Sequence, residues 1–234
     1  MRCSRCGREA AENDKFCAEC GMFLRDAWVE QRLLAPLLLE VEGKPQEARR
    51  ELGRLVEMQP QNALAQHLLG TVHFHQGTLN RAVDCYRRAL ELAPRFLLCW
   101  YDLGVAYYHR GNMPASIQAY RKCLEIDADY NAAHYRMGVA LFHAGDLDQA
   151  KEHFERCTAL TPEYVRARYF VGVIHERREE YDAALREFRG TVDEGVGEVS
   201  SLWHMAAIHR TRGDAKTADE LLERARRFSR MASA

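Results

Sequence analysis

The sequence predicts an all-α chain: a series of helical hairpins that follows a small metal-held unit at the N-terminus. Two observations carry this prediction. Glycines recur every 34 residues at Gly70, Gly104, Gly138 and Gly172, and two C-x-x-C pairs crowd into the first twenty positions. The composition agrees. With 234 residues, 47% of them hydrophobic and 29% charged, the chain can bury a substantial core and does not match a disordered composition. Thirty-three basic residues against thirty-four acidic ones leave a net charge of −1, so no bulk positive field gathers nucleic acid or an anionic membrane. The longest apolar run, Leu33 to Leu39, contains Pro36. It falls far short of the ~20 residues a membrane-spanning helix needs. No apolar stretch follows the basic residues at Arg2 and Arg5, so a secretory signal is not expected, and the protein is expected to be cytoplasmic.

Residues 1–24 come first. Cys3-Ser-Arg-Cys6-Gly7 and Phe16-Cys17-Ala-Glu-Cys20-Gly21 are two knuckles, in each of which a pair of thiolates converges on one ion. The glycine after each pair permits the tight turn that aims backbone N–H groups at sulfur. Cys3, Cys6, Cys17 and Cys20 together close a tetrahedral shell and leave no open position for a substrate water. So short a segment has no core of its own, and structural zinc supplies roughly 10–16 kcal/mol to such peptides. The segment resembles the short zinc ribbons at the ends of many bacterial proteins, which implies one structural Zn²⁺. Iron is the chemical alternative for four thiolates, but the short interval between knuckles favours zinc. Arg2, Arg5, Arg8, Lys15 and Arg25 are balanced by Glu9, Glu12, Asp14, Glu19 and Asp26, which suits a knob that docks on protein better than one that grips phosphate.

The 34-residue register extends without insertion over six units: 29–62, 63–96, 97–130, 131–164, 165–198 and 199–232. Unit position 20 is always small (Ala48, Ala82, Ser116, Ala150, Ala184, Ala218), and position 24 is large and apolar (Leu52, Tyr86, Tyr120, Phe154, Phe188, Leu222). Small residues at positions 8 and 20 let two antiparallel helices cross closely, and the ring at 24 fills the space beside them. Gly43, Gly77, Gly111, Gly145 and Gly213 stand at position 15, where a helix C-terminus calls for positive φ. Pro60, Pro94 and Pro162 at position 32 stop the second helix. Position 27 (Leu55, Ala89, Cys123, Cys157, Thr191, Ala225) must leave room for the next unit, so Cys123 and Cys157 read as packing residues in preference to redox ones.

This pattern resembles the tetratricopeptide repeat over residues 29–232. The resemblance implies stacked hairpins in a right-handed superhelical solenoid, with the first helices lining a concave groove that holds a peptide or a partner helix. It weakens at the ends. Pro36 interrupts the first helix of the first unit, and Glu194-Gly195-Val196-Gly197-Glu198 replaces the usual junction before the last unit. Leu221, Phe228 and Met231 on the last helix are expected either to stay exposed or to be covered by a second copy of the chain.

Family geometry turns positions 5, 9 and 12 toward the groove. These positions supply the expected partner-binding residues: His67, Tyr101, Tyr135, Tyr169 and Trp203 at 5; Val105, Val139 and Val173 at 9; Phe74, Tyr108 and Phe142 at 12. Large rings with few rotatable bonds suit anchors for a bound chain. Tyrosines at these positions are also ordinary framework in the family, so valine at 9 is the more telling feature and points to an apolar helix or peptide. Lysine at 5 with asparagine at 9, which would clamp a terminal carboxylate, is missing. His75, His109 and His143 form a further column, without any H-x-x-x-H pair to seat a metal, and read as solvated rim residues.

No phosphate loop and no nucleophile with an identifiable base is visible, so an enzyme is not expected. Gly195 and Gly197 match a dinucleotide fingerprint only in part, and they follow a helix. Arg224, Arg226, Arg227 and Arg230 read as a solvated face near a helix C-terminus, or as a grip for an acidic partner. The sequence therefore predicts a non-catalytic protein–protein interaction scaffold or adaptor with a zinc ribbon as docking module, and a second mode of self-association through the last repeat. Two alternatives stay open: a nucleic-acid-associated regulator acting through the ribbon, and a redox carrier with iron in the four-cysteine site.

Overall fold

The computed structural model describes residues 42–193 and 198–231, with the single positions 9 and 39 besides. The four ribbon cysteines, the first helix expected over the start of unit 29–62 and the 194–197 junction lie outside the described residues. Eleven helices are present among those described: α1 Pro45–Met58, α2 Ala63–His75, α3 Leu79–Leu92, α4 Leu97–His109, α5 Met113–Ile126, α6 Asn131–Ala144, α7 Leu147–Leu160, α8 Val165–Arg177, α9 Tyr181–Asp193, α10 Glu198–Thr211 and α11 Ala215–Met231. None is long and apolar enough to cross a membrane.

The helices fall into two compact units, residues 1–130 and 131–234. In the first, α2 packs on α3 and α4 on α5, with α1 laid against α2 and α3 against α4. In the second, the hairpins are α6–α7, α8–α9 and α10–α11, each packed on the next in chain order. The count of six hairpins would need the helix that precedes α1, which lies outside the described residues.

Local chemistry sets the helix ends. The Asn62 side chain accepts from the Ala65 N–H at 3.0 Å, Asn112 from Ala115 at 3.2 Å, Asp146 from Gln149 at 3.1 Å and Asp214 from Thr217 at 3.1 Å. Each satisfies an N–H that the first turn leaves without an intrahelical partner. At the turn inside four of the described hairpins, Gly77, Gly111, Gly145 and Gly213 hold φ values of 72°, 76°, 87° and 81°. The hairpin α8–α9 makes the same turn without glycine. Glu179 adopts φ 59° there, a conformation that costs a side-chain-bearing residue about 1–2 kcal/mol. A histidine four residues earlier, about one helical turn, reinforces three of these turns. His73 Nδ1 lies 2.9 Å from the Thr78 hydroxyl, His209 Nδ1 lies 3.2 Å from Asp214, and His175 pairs with Glu180. The His175 hydrogen bond holds the Glu180 carboxyl below its ordinary pKa.

The core is built from the repeated columns. Ala48, Ala82, Ser116, Ala150, Ala184 and Ala218 are fully buried, as are the rings of Tyr86, Tyr120, Phe154 and Phe188. The one polar member of the small column, Ser116, donates its hydroxyl to the Gly104 carbonyl at 2.8 Å, so no buried donor is left over. Each ring lies against the glycine of its own hairpin. A Cβ added at Gly104 would stand 2.5 Å from Tyr120 Cε1, and one at Gly138 would stand 2.8 Å from Phe154 Cε1. The glycines are there to let the ring in. The cysteines of the core are packing residues as well: Cys99, Cys123 and Cys157 are buried, and burial pushes the thiols of Cys85 and Cys157 up to about 11, which keeps them protonated and unreactive. On α11, Leu221 and Phe228 are half-buried against the core of α9 and α10.

Candidate functional site

The eleven residues expected to face a partner all sit on first helices: α2 and α4 in the first unit, α6, α8 and α10 in the second. They do not share one environment. In the first unit His67 is buried, with its ring 4.8 Å from Phe96 and 5.5 Å from Tyr86. Its Nε2 lies 2.7 Å from Asp102 Oδ2, a hydrogen bond that links α2 to α4. Because the carboxylate only accepts, Nε2 carries the proton in that bond. Tyr101 is half-buried, edge-on to Tyr130 at 5.6 Å and tilted against Tyr120 at 6.0 Å. Phe74, Val105 and Tyr108 are half-buried too, and Phe74 meets the exposed His109 ring at 5.4 Å.

In the second unit Val139 and Phe142 are each 8% exposed, so they belong more to the core than to an open wall. The Arg177 guanidinium covers Phe142, 4.2 Å from its ring centroid, and Phe170 closes its edge at 5.4 Å. Tyr135 is half-buried between Phe154, Tyr164 and Phe170, with Tyr164 nearest at 5.0 Å. Burial, with Tyr164 beside it, pushes the Tyr135 phenol above its ordinary pKa. Val173 is half-buried, while Trp203 stands out with 52% of its surface exposed. A cleft of about 410 Å³ opens beside its indole, lined also by Ala206, Ala207, Arg210, Thr211 and Leu222. His75 and His143 are exposed, as His109 is.

Tyr169 belongs to a chain of hydrogen bonds. Its hydroxyl lies 3.0 Å from His204 Nε2, and His204 Nδ1 lies 2.5 Å from Glu176 Oε2. Nδ1–H therefore donates to the carboxylate, and in the neutral ring Nε2 accepts from the phenol. The order of groups is that of a nucleophile, a base and a residue that orients the base. Burial, with the Glu176 charge beside it, raises the Tyr169 phenol, and the two hydrogen bonds tie α8 to α10. His204 also stacks on Phe188 at 5.1 Å.

Two columns that sequence reasoning passed over organise these rings. At unit position 34, Phe96, Tyr130 and Tyr164 each reach back to the position-5 ring of their own hairpin: His67, Tyr101 and Tyr135. The signal was in the sequence, since these three aromatics are themselves 34 residues apart. At position 6, Asp102, Phe170 and His204 each receive the position-5 residue of the preceding hairpin. No shared residue type marks that column, and only the packing displays it. Among the described residues no group of three or more His, Cys, Asp or Glu side chains is placed to hold a metal ion, and the four ribbon cysteines are not among them.

Comparison with known proteins bears on the repeats. The family profile described as Tetratricopeptide repeat matches residues 34–95 and 135–195, and a second one, TPR repeat, matches residues 104–145. No curated protein matches the chain. Among solved structures, MamA is similar with a TM-score of 0.66 and 22% identity, over 68% of this chain and 93% of its own. PilF of Pseudomonas aeruginosa is similar with a TM-score of 0.72 and 19% identity, over 85% of this chain and 90% of its own. YrrB, described as a TPR protein with an unusual peptide-binding site, has a TM-score of 0.65 and 20% identity, over 74% of this chain and 89% of its own.

Proposed function

The chain belongs to the tetratricopeptide repeat family, and from that premise we propose that it is a non-catalytic, cytoplasmic scaffold or adaptor that holds a partner peptide or helix against its first helices. One observation carries the reading. Trp203, on the same repeat position as Tyr101, Tyr135 and Tyr169, exposes half of its surface beside a cleft, while its counterparts are half-buried and braced by neighbouring rings. A braced ring forms a rigid wall. An exposed indole beside a cleft is an anchor that gains most from being covered, at about 25 cal/mol per Å² of apolar surface. An apolar helix or extended peptide laid along α6, α8 and α10 would meet Tyr135 and Tyr169 by their edges and Trp203 by its face.

The test uses the indole, because replacing it costs the fold little. Trp203→Ala should leave helicity and the unfolding midpoint nearly unchanged and weaken partner capture by at least tenfold. Capture at full strength by a folded Trp203→Ala protein contradicts the proposal.

Cys3, Cys6, Cys17 and Cys20 complete the proposal as a structural zinc ribbon ahead of repeats spanning 29–232. Its support is the knuckle spacing and the chemistry of four thiolates, which bind Zn²⁺ in a closed shell. Purified protein should hold one zinc per chain. A strong chelator should remove it and leave the repeats' circular dichroism unchanged, whereas iron in the site, or no metal in the intact chain, overturns the zinc assignment.

A further inference from the structure

We propose that the cleft between the second helices α3 and α5 is a separate docking site, and that it takes an acidic segment of a partner protein carrying at least one large apolar side chain. The cleft has a volume of about 630 Å³ and lies wholly within residues 87–125, on side chains unlike those of the first-helix columns. Its cause is a local departure from the repeat. In the second unit, position 4 of a first helix is met by position 23 of the second helix: His134 Nδ1 lies 2.9 Å from His153 Nδ1, and Arg168 Nε lies 3.8 Å from Glu187. In the hairpin α4–α5 the same two positions hold Trp100 and Ala119, with Ala115 one turn away. A methyl group cannot fill the space that a histidine or glutamate side chain fills elsewhere, so the indole is left with an open side.

The floor is apolar and fixed. Trp100 Nε1 donates to the Pro94 carbonyl at 2.7 Å, which holds the indole in place and consumes its only donor. Leu90 and Leu103 are buried beneath it, and Tyr107 lines one end. Such a surface receives a hydrophobic side chain and offers it no hydrogen bond.

The rim adds charge. Glu91 is paired with Arg88 at 2.7 Å and Glu125 with Lys122 at 2.6 Å. Arg87 and Arg121, also on the rim, have no ion-pair partner among the described residues. They stand 34 residues apart, so each helix presents one guanidinium at the same height of its repeat. A planar fork binds carboxylate in bidentate fashion, and two forks across an apolar floor match a segment in which acidic residues flank a phenylalanine or leucine. A nucleic-acid strand fits less well, because its phosphates recur at every nucleotide and would face Glu91 and Glu125 as well as the arginines, whereas a peptide can set a few carboxylates against Arg87 and Arg121 alone.

The experiment uses the full chain and two fluorescein-labelled probes: a twelve-residue serine–glycine peptide in which aspartates flank one phenylalanine and one leucine, and a twelve-residue oligothymidylate. The peptide should bind saturably. Arg87→Glu with Arg121→Glu should weaken it at least tenfold, and these exposed positions leave the fold intact. Ala115→Phe, which fills the cleft, should weaken it by a similar factor, as should serine in place of the two apolar residues of the peptide. Trp203→Ala should leave this binding unchanged, which separates the site from the first-helix columns. Absence of peptide binding, equal binding by the arginine double variant, or tighter binding of the oligothymidylate overturns the proposal.

Discussion

Gly104→Ala should destabilise the protein by about 2 kcal/mol, although alanine is the better helix former by up to ~1 kcal/mol. Gly104 lies in the middle of α4, and an added methyl would stand 2.5 Å from Tyr120 Cε1 and 2.7 Å from Cδ1. Tyr120 is fully buried, so its ring has no solvent to retreat into. The last hairpin holds the natural remedy: Ala206 and Leu222 occupy the columns that hold glycine and a ring in the hairpins from α2 to α9. The double variant Gly104→Ala with Tyr120→Leu should therefore be more stable than the sum of its two single changes by roughly 1–3 kcal/mol. Urea unfolding followed by circular dichroism on the four proteins of the cycle measures this. Strict additivity would mean that glycine and ring are not a matched pair.

Phe154→Ala should cost more, about 3–5 kcal/mol. Phe154 is fully buried, sits over the Gly138 backbone, and stacks on Phe170 with centroids 4.8 Å apart and planes 6° from parallel. Its loss leaves a void that the buried Ala150, one turn earlier on the same helix, is too short to fill. Phe170→Ala, at a half-buried position, should cost distinctly less. The coupling between the two rings should be about 0.5–1.5 kcal/mol beyond their separate burial. A Phe154→Ala protein that unfolds at the native midpoint would contradict the placement of this ring at the centre of its hairpin.

These two expectations concern the part of the molecule that was plain in the sequence. Glycine at one repeat position and a ring sixteen residues later recur from Gly70 with Tyr86 to Gly172 with Phe188, and shape complementarity demands both at once, so the periodicity exposes the pair. The candidate surface was less legible. Positions 5, 9 and 12 share a face in the family, but burial within that face depends on what the next hairpin supplies. Asp102 draws His67 inward and Arg177 covers Phe142, through contacts 35 residues apart that repeat no residue type. Trp203 stays open where Phe96, Tyr130 and Tyr164 close their own hairpins. The cleft above Trp100 was hidden for a different reason. Ala115 and Ala119 read as ordinary small residues of a packed repeat, and only their pairing with an indole turns them into an opening.

Hydrogen exchange of the full chain, free and bound to a partner recovered by capture, tests the central proposal most directly. Amides and flanking peptides of α6, α8 and α10 should exchange more slowly in the complex, with the largest change around Trp203, while α7, α9 and α11 keep their free-state rates. Protection confined to α7, α9 and α11 would contradict the assignment of the first helices as the partner-holding wall.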